Sequence, residues 1–233
     1  MAGDGFKHVY DKAAMARSVA RMLLEIDAVL FRADEPFKLT SGMMSPVYID
    51  CRKLIAYLAQ RRRVIELGVE LIERDIGAAA IDLVAGGETA GIPYAAWISE
   101  SMDRPMLYVR KQPKGFGRNA QIEGDLEDGK RVLLVEDLAT DGGSKINFID
   151  ALRLGGGVVT DIFVVFYYRA FPGAEETMKK AGTNMHYLAD WHDVLAAAEA
   201  GKYFSEDEIS GVRNFLADPV AWSAANGGKA AMD

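Results

Sequence analysis

Two adjacent carboxylates, Glu136 and Asp137, follow the apolar run 132–135, and a short polar stretch, Thr140-Asp141-Gly142-Gly143-Ser144, comes directly behind them. Acids at the end of a buried strand can accept hydrogen bonds from hydroxyls. A small polar turn that opens a helix offers backbone N–H groups, backed by the helix N-terminus, to a phosphate. Carboxylates and phosphate repel if they meet at one group. The pattern therefore suits a ligand with hydroxyls at one end and a phosphate at the other, as in ribose 5-phosphate. An acidic turn that only caps a helix has a similar composition. Two commoner phosphate motifs are excluded by residue order: "GGSK" is not G-K-[ST], and "GGETAG" at 86–91 is not G-x-G-x-x-G.

A second cluster is cationic. Arg110, Lys111 and Lys114 stand together in a chain with 34 acidic and 27 basic residues and a net charge of −7. Gly115, Gly117 and Gly124 make their stretch pliable. It is either a solvated loop or a lid that carries cations to a diphosphate. Arg169 ends the apolar run "IFVVFYYR", where a planar fork would suit a carboxylate or an imide carbonyl. His186 and His192 lack a third metal ligand nearby, so no protein metal site is expected. The lone Cys51 forms no internal disulfide, and no Ser-His-Asp order suggests covalent catalysis. The acidic balance argues against a nucleic-acid partner. The lack of a ~20-residue apolar stretch argues against a membrane span. With no secretory pattern at the N-terminus, the expected location is cytoplasmic.

The elements that would position these residues alternate. Val19, Met22, Leu23, Ile26, Val29 and Leu30 share one face of a helix expected over 11–31, and Ile65, Val69, Ile72 and Ile76 share another over 54–76. Between them, "FKLTSGMMSPVYIDCRKL" reads as two extended pieces around a Ser-Gly turn. From 77 onward, strands in "AAAIDLVAGG", "PMLYVRK", "RVLLVED" and "VVTDIFVVFYYR" alternate with helices in "AGIPYAAWISESM" and "GSKINFIDALRLGG". That order predicts an α/β fold, a parallel sheet flanked by helices on both faces. The acids then sit just past a strand over 132–135, at the carboxyl edge where open sheets bind ligands, with a helix starting at Lys145. "SEDE" at 205–208 is a capping box opening a last helix that Pro219 ends, and the tail "NGGKAAMD" reads as frayed. One domain is expected over 1–233: an N-terminal elaboration to about 53, a core over about 77–190, and a helical C-terminal extension.

"RVLLVEDLATDGGS" resembles the phosphoribosyl pyrophosphate signature of type I phosphoribosyltransferases. Three further stretches resemble the orotate phosphoribosyltransferase family: "FKLTSGMMSPVYIDCR" its N-terminal hood, "AGGETAGIP" its diphosphate-side loop, and "VRKQPKGFGRNAQIEG" at 109–124 its mobile catalytic loop. All four occur in the family order. The resemblance implies transfer of the 5-phosphoribosyl group from phosphoribosyl pyrophosphate to orotate, giving orotidine 5′-monophosphate and diphosphate. It also implies a small N-terminal hood on the sheet, Mg²⁺ bound mainly through the diphosphate, and a homodimer whose catalytic loop acts in trans.

By the same resemblance, Glu136 and Asp137 bind the ribose hydroxyls and favour positive charge at the anomeric carbon. Thr140, Asp141, Gly142, Gly143 and Ser144 bind the 5′-phosphate. Arg110, Lys111 and Lys114 meet the diphosphate, with Lys114 the catalytic lysine. Arg169 holds orotate with help from Thr140, and the segment 41–48 packs on the base. The chain departs from the family at Asp141, where Thr or Ala is common and whose side chain is expected to point away. It departs again at Phe116, which stands for the usual lid histidine and would help the closed lid exclude water, with Arg118 supplying charge. Many relatives have lysine where Thr40 stands, and some have it at Ala90. Transfer to another nucleobase, or a non-catalytic sensor of phosphoribosyl pyrophosphate, are the alternatives; the lid cations favour catalysis.

Overall fold

Asp11 starts the first helix, α1 (Lys12–Glu25), its carboxylate accepting from the N–H groups of Ala13 and Ala14 at 3.0 and 3.1 Å. In this computed structural model the described residues are 11–229 except 33, 40, 116, 118, 119, 141 and 172; of Ser144 and Ala174 only the backbone is described. Phe116, Arg118, Asp141 and Thr40 thus lie outside the described residues, as does the Ser144 side chain.

The helix expected over 11–31 is shorter. The chain turns at Asp27, which has a φ of 54°, and Ala28 N–H bonds back to the Leu23 carbonyl. β1 (Val29–Phe31) follows, because its branched and aromatic residues complete a ladder rather than a helix turn. β2 (Phe37–Lys38) and β3 (Met44–Ser45) pair antiparallel around the Ser-Gly turn. β4 (Val47–Ile49) pairs antiparallel with β1. These four short strands form the hood. A 3-10 turn at Cys51–Ala56 leads into α2 (Leu58–Asp75).

β5 (Leu83–Gly87), α3 (Gly91–Met102), β6 (Met106–Val109), β7 (Ile122–Glu123), β8 (Arg131–Ala139), α4 (Gly143–Leu154), β9 (Val158–Tyr167), α5 (Ala174–Lys180) and β10 (Asn184–Asp190) build the central layer. The sheet order is β10-β9-β8-β5-β6-β7. All neighbours are parallel except β7, a short antiparallel edge on β6. Successive side chains of β8 serve opposite layers: Leu133 and Val135 join the core under α1, α2 and α3, whereas Val132 and Leu134 join the one under α4.

α6 (Trp191–Gly201) and α7 (Glu206–Ala217) follow, the second opened by the Ser205–Glu208 capping box. α7 stops at Ala217, just ahead of Pro219 as expected, but it is not the last helix, because Pro219 does more than end one. It opens another, α8 (Pro219–Ala225), at the position where its fixed φ suits a first turn, with the Asp218 carboxylate accepting from Ala221 N–H at 2.9 Å. The tail is not frayed as far as Lys229, whose N–H reaches the Gly42 carbonyl at 3.3 Å, within the hood turn. Backbone hydrogen bonding, which a composition of Gly, Asn and Ala does not announce, holds it there.

Candidate active site

Two neighbouring strands end together. β5 stops at Gly87 and β6 at Val109, and the β5–β8 ladder ends at Gly86 opposite Val135. β8 itself continues to Ala139 because β9 keeps pairing with it, Glu136 opposite Val164 and Ala139 opposite Tyr167. Glu136 and Asp137 therefore lie inside a strand rather than past its end. On the β5 side, however, they stand beyond the last paired residue, at the carboxyl edge of the sheet.

Strand alternation sends the two acids to opposite faces. Glu136 faces α4, where Lys145 Nζ lies 2.9 Å from its Oε2, both side chains being nearly buried (5% and 8% exposed). Glycines make the room: a Cβ on Gly87 would fall 2.1 Å from Glu136 Oε1, and one on Gly91 2.6 Å from it. Oε1 itself is buried, with no hydrogen-bond partner among the described residues. Burial pushes the Glu136 carboxyl up to about 7; Lys145 works against that rise and Asp137 adds to it. Asp137 faces the other layer, beside Cys51, Arg52 and Tyr94. Its pKa is also raised by burial, against the opposing pull of Lys145, its own and Leu138's N–H groups, and Arg52. Burial, with the Asp137 charge second, pushes the Cys51 thiol well above its ordinary value. Tyr94 Oη donates to the Cys51 carbonyl at 2.7 Å and fixes this wall.

The turn behind the acids is tighter than expected. α4 begins at Gly143 rather than Lys145, with Gly142 at a φ of 83° as its N-cap. A Cβ at Gly142 would also lie 2.7 Å from Met178 Cε. Gly142 and Gly143 thus open a helix N-terminus next to the acids, the arrangement that favours an anion.

The cationic loop is anchored at its base. Arg110 N–H bonds Gln121 O at 2.8 Å, and Lys114 N–H bonds Ala120 O at 2.7 Å. Glu88, in the turn after β5, accepts from Lys111 N–H at 2.7 Å, and Asn147 of α4 donates to Lys111 O at 3.0 Å. The loop base, the glycine turn and α4 are so joined, and the Lys111 charge acts on Glu136. Lys111 and Lys114 are exposed; Arg110 is half-buried, 3.5 Å from Glu123.

Arg169 sits just beyond β9 at a φ of 47°. Its fork is held by Asp190 at 3.1 Å and Glu175 at 3.4 Å, with 48% of the side chain exposed. Tyr168 before it bonds Ala139 O through its N–H and Val47 O through its hydroxyl, tying the end of β9 to both β8 and the hood. His186 pairs with Asp161 at 2.8 Å. Among the described residues no group of three or more His, Cys, Asp or Glu side chains is placed to hold a metal, and no helix is long and apolar enough to cross a membrane.

Lys145, Glu88, Asn147 and Gln121 escaped the sequence reading. Only Lys145 left a trace: with Phe148, Ile149 and Leu152 it falls on the apolar stripe of α4, an odd place for a lysine.

No family model matches the chain. It is 55% identical over 218 residues to an orotate phosphoribosyltransferase of Sinorhizobium fredii, covering 94% of each chain. It is 54% identical over 222 residues to that of Rhizobium meliloti, covering 95% of this chain and 96% of the relative. The solved orotate phosphoribosyltransferase of Aeropyrum pernix matches with a TM-score of 0.67 and 32% identity over 80% of this chain and 99% of that one. The UMP synthase of Leishmania donovani matches with a TM-score of 0.74 and 30% identity over 87% of this chain and 42% of that longer one. With relatives this similar along almost its whole length, the chain belongs to the orotate phosphoribosyltransferase family.

Proposed function

We propose that this chain transfers the 5-phosphoribosyl group from phosphoribosyl pyrophosphate to a ring nitrogen of orotate, releasing diphosphate and orotidine 5′-monophosphate for pyrimidine synthesis. The carrying observation is identity above 50% to orotate phosphoribosyltransferases over 94–95% of the chain. The geometry is consistent with it. Glu136 and Asp137 flank the open end of the β5–β8 ladder, where a ribose could lie between the hood side and the α4 side. The turn 140–144 receives the 5′-phosphate at the start of α4. As the bond to diphosphate breaks, positive charge develops at the anomeric carbon, and two fixed carboxylates favour it.

The leaving diphosphate would be met by Arg110, Lys111 and Lys114, with Lys114 the catalytic lysine. Mg²⁺ fits as an ion carried in by the substrate, since diphosphate and water supply the hard oxygens it prefers. The donor set at the lid base is cationic, and Glu88, its nearby carboxylate, already accepts from Lys111 N–H. The ion adds charge neutralisation at the diphosphate; the chain's own part is to hold ribose, phosphate and lid in register. Arg169 and Thr140 would recognise orotate, Arg169 by exchanging one of its carboxylate partners for the orotate carboxylate. We also assign a homodimer with the lid acting in trans, and a cytoplasmic location.

The test is direct. Protein, Mg²⁺, phosphoribosyl pyrophosphate and orotate should give a loss of orotate's ultraviolet absorbance, with uracil and purines inert. Turnover of another base in preference to orotate would overturn the assignment.

A further inference from the structure

We propose that Lys145 is a positioning residue of the phosphoribosyl site: its buried ammonium fixes Glu136 Oε2, so that Oε1 is presented to the substrate as a charged acceptor. The inference rests on reading Glu136 as a ribose contact.

Nothing in the packing of α4 calls for a lysine at this place. Residues 148, 149 and 152 along the same stripe are Phe, Ile and Leu, and all are buried. A lysine among them costs desolvation that only a close partner offsets. Glu136 is such a partner, at 2.9 Å. The other side of that carboxylate is shaped by absence of side chains: Oε1 packs against the backbone of Gly87 and Gly91 so closely that any Cβ there would collide with it. One oxygen is thus tied, and the other, buried against the two glycines, has no hydrogen-bond partner among the described residues. This suits an acceptor kept for a ligand better than a structural ion pair, which would satisfy both oxygens.

Among the described residues, three charges act most on Glu136. α4 contributes Lys145, β8 contributes Asp137, and the lid base contributes Lys111. In the turn after β5, Glu88 is engaged with the Lys111 N–H. Lys145 is the largest influence holding the Glu136 carboxyl down against burial, and it also lowers Asp137. Without it Glu136 would hold its proton to higher pH and present a neutral acid, or a carboxylate free to rotate, to the ribose hydroxyls.

The experiment compares wild type, Lys145→Met and Lys145→Arg from pH 6 to 9, in the full chain. It reads kcat, the KM for each substrate, the melting temperature, and calorimetric binding of phosphoribosyl pyrophosphate. Lys145→Met should lower kcat/KM for phosphoribosyl pyrophosphate roughly tenfold or more near pH 7 and move the acidic limb of the profile about one unit or more upward. Part of the loss should return at pH 9, while the KM for orotate changes little. Lys145→Arg should keep the limb near its wild-type place. If methionine does not fold, Lys145→Gln gives the same comparison. An unchanged limb and unchanged affinity for phosphoribosyl pyrophosphate in a folded variant would overturn the proposal. So would a pH-independent loss that simply follows a lowered melting temperature. Because calorimetry needs no second substrate, absence of orotate turnover would count against the proposed reaction without obscuring the result for Lys145.

Discussion

The hydroxyl of Ser223 on α8 accepts from the backbone N–H of Met44 at 3.0 Å, across 179 positions of sequence, and donates to the Lys229 carbonyl at 2.9 Å. One side chain thus joins the C-terminal helix, the tail and hood strand β3. The tail lies close on the hood turn: a Cβ on Gly42 would come within 3.0 Å of Lys229 Cε, and one on Gly228 within 2.8 Å of Met44 N.

Ser223→Ala should therefore loosen the hood. It leaves the partly buried Met44 N–H without its acceptor and removes the hydroxyl's bond to the Lys229 carbonyl, at a cost of about 1–3 kcal/mol. Urea unfolding should show the loss, and hydrogen exchange should speed up at the Met44 amide. Unchanged exchange there would mean that the tail does not support the hood.

Much of this architecture was legible in the chain and some was not. β5, β8 and β9 announce themselves as continuous apolar runs because both faces of each are largely covered, whereas β6 is buried at alternate residues. β10, "NMHYLAD", mixes polar and apolar residues because it is an edge strand, buried only toward Asp190, and periodicity alone passes over it. The Glu136–Asp137 pair was visible, but its splitting onto two faces was not. That depends on β8 running to Ala139, which the length of β9 decides. The partnership of Ser223 with Met44 has no local signal at all, since long-range hydrogen bonds leave none in composition.

Asp137→Asn should separate stability from activity. Removing the charge while keeping the shape should lower turnover by roughly 10²-fold. Stability at pH 7 should not fall. A carboxyl whose pKa is raised on folding binds more protons folded than unfolded, so its ionisation costs stability as pH rises above the unfolded value. Steady-state rates and thermal melts on one preparation check both halves; wild-type turnover would remove Asp137 from the proposed chemistry.

Asp161 should behave in the opposite sense. Burial raises its pKa, but hydrogen bonds from His186, Thr160 and Asn184 outweigh that and leave it lowered. Its stabilisation should be complete above the unfolded value near ~3.9 and disappear as pH falls through the folded one. Asp161→Asn should narrow the difference in urea midpoint between pH 7 and pH 3.5. An identical difference in the two proteins would contradict this.

Lys114 is exposed, so Lys114→Ala should fold as the wild type does, an exposed charge adding little stability. It should nevertheless lose most activity. If the lid acts in trans, mixing Lys114→Ala with Asp137→Asn should recover activity in hybrid dimers, each pairing an intact lid with an intact acid pair. No recovery after confirmed subunit exchange would place lid and acids in the same subunit.

Phe116 poses the sharpest question about the lid. Its sequence neighbours Gly115 and Gly117 have φ values of 88° and 114°, which favour glycine, and Lys114 N–H bonds the Ala120 carbonyl. A histidine in place of Phe116 could donate to the diphosphate and change charge near pH 6.5; phenylalanine does neither. On the proposed assignment, diphosphate held by Mg²⁺, Arg110, Lys111 and Lys114 would already be a stable anion and would depart without a proton from the lid. Wild type should accordingly turn over orotate from pH 6 to 9. Phe116→His should change the shape of the profile near the histidine pKa without being needed for activity. Inactive wild type alongside an active Phe116→His would show that the proton is required and that phenylalanine disables the lid.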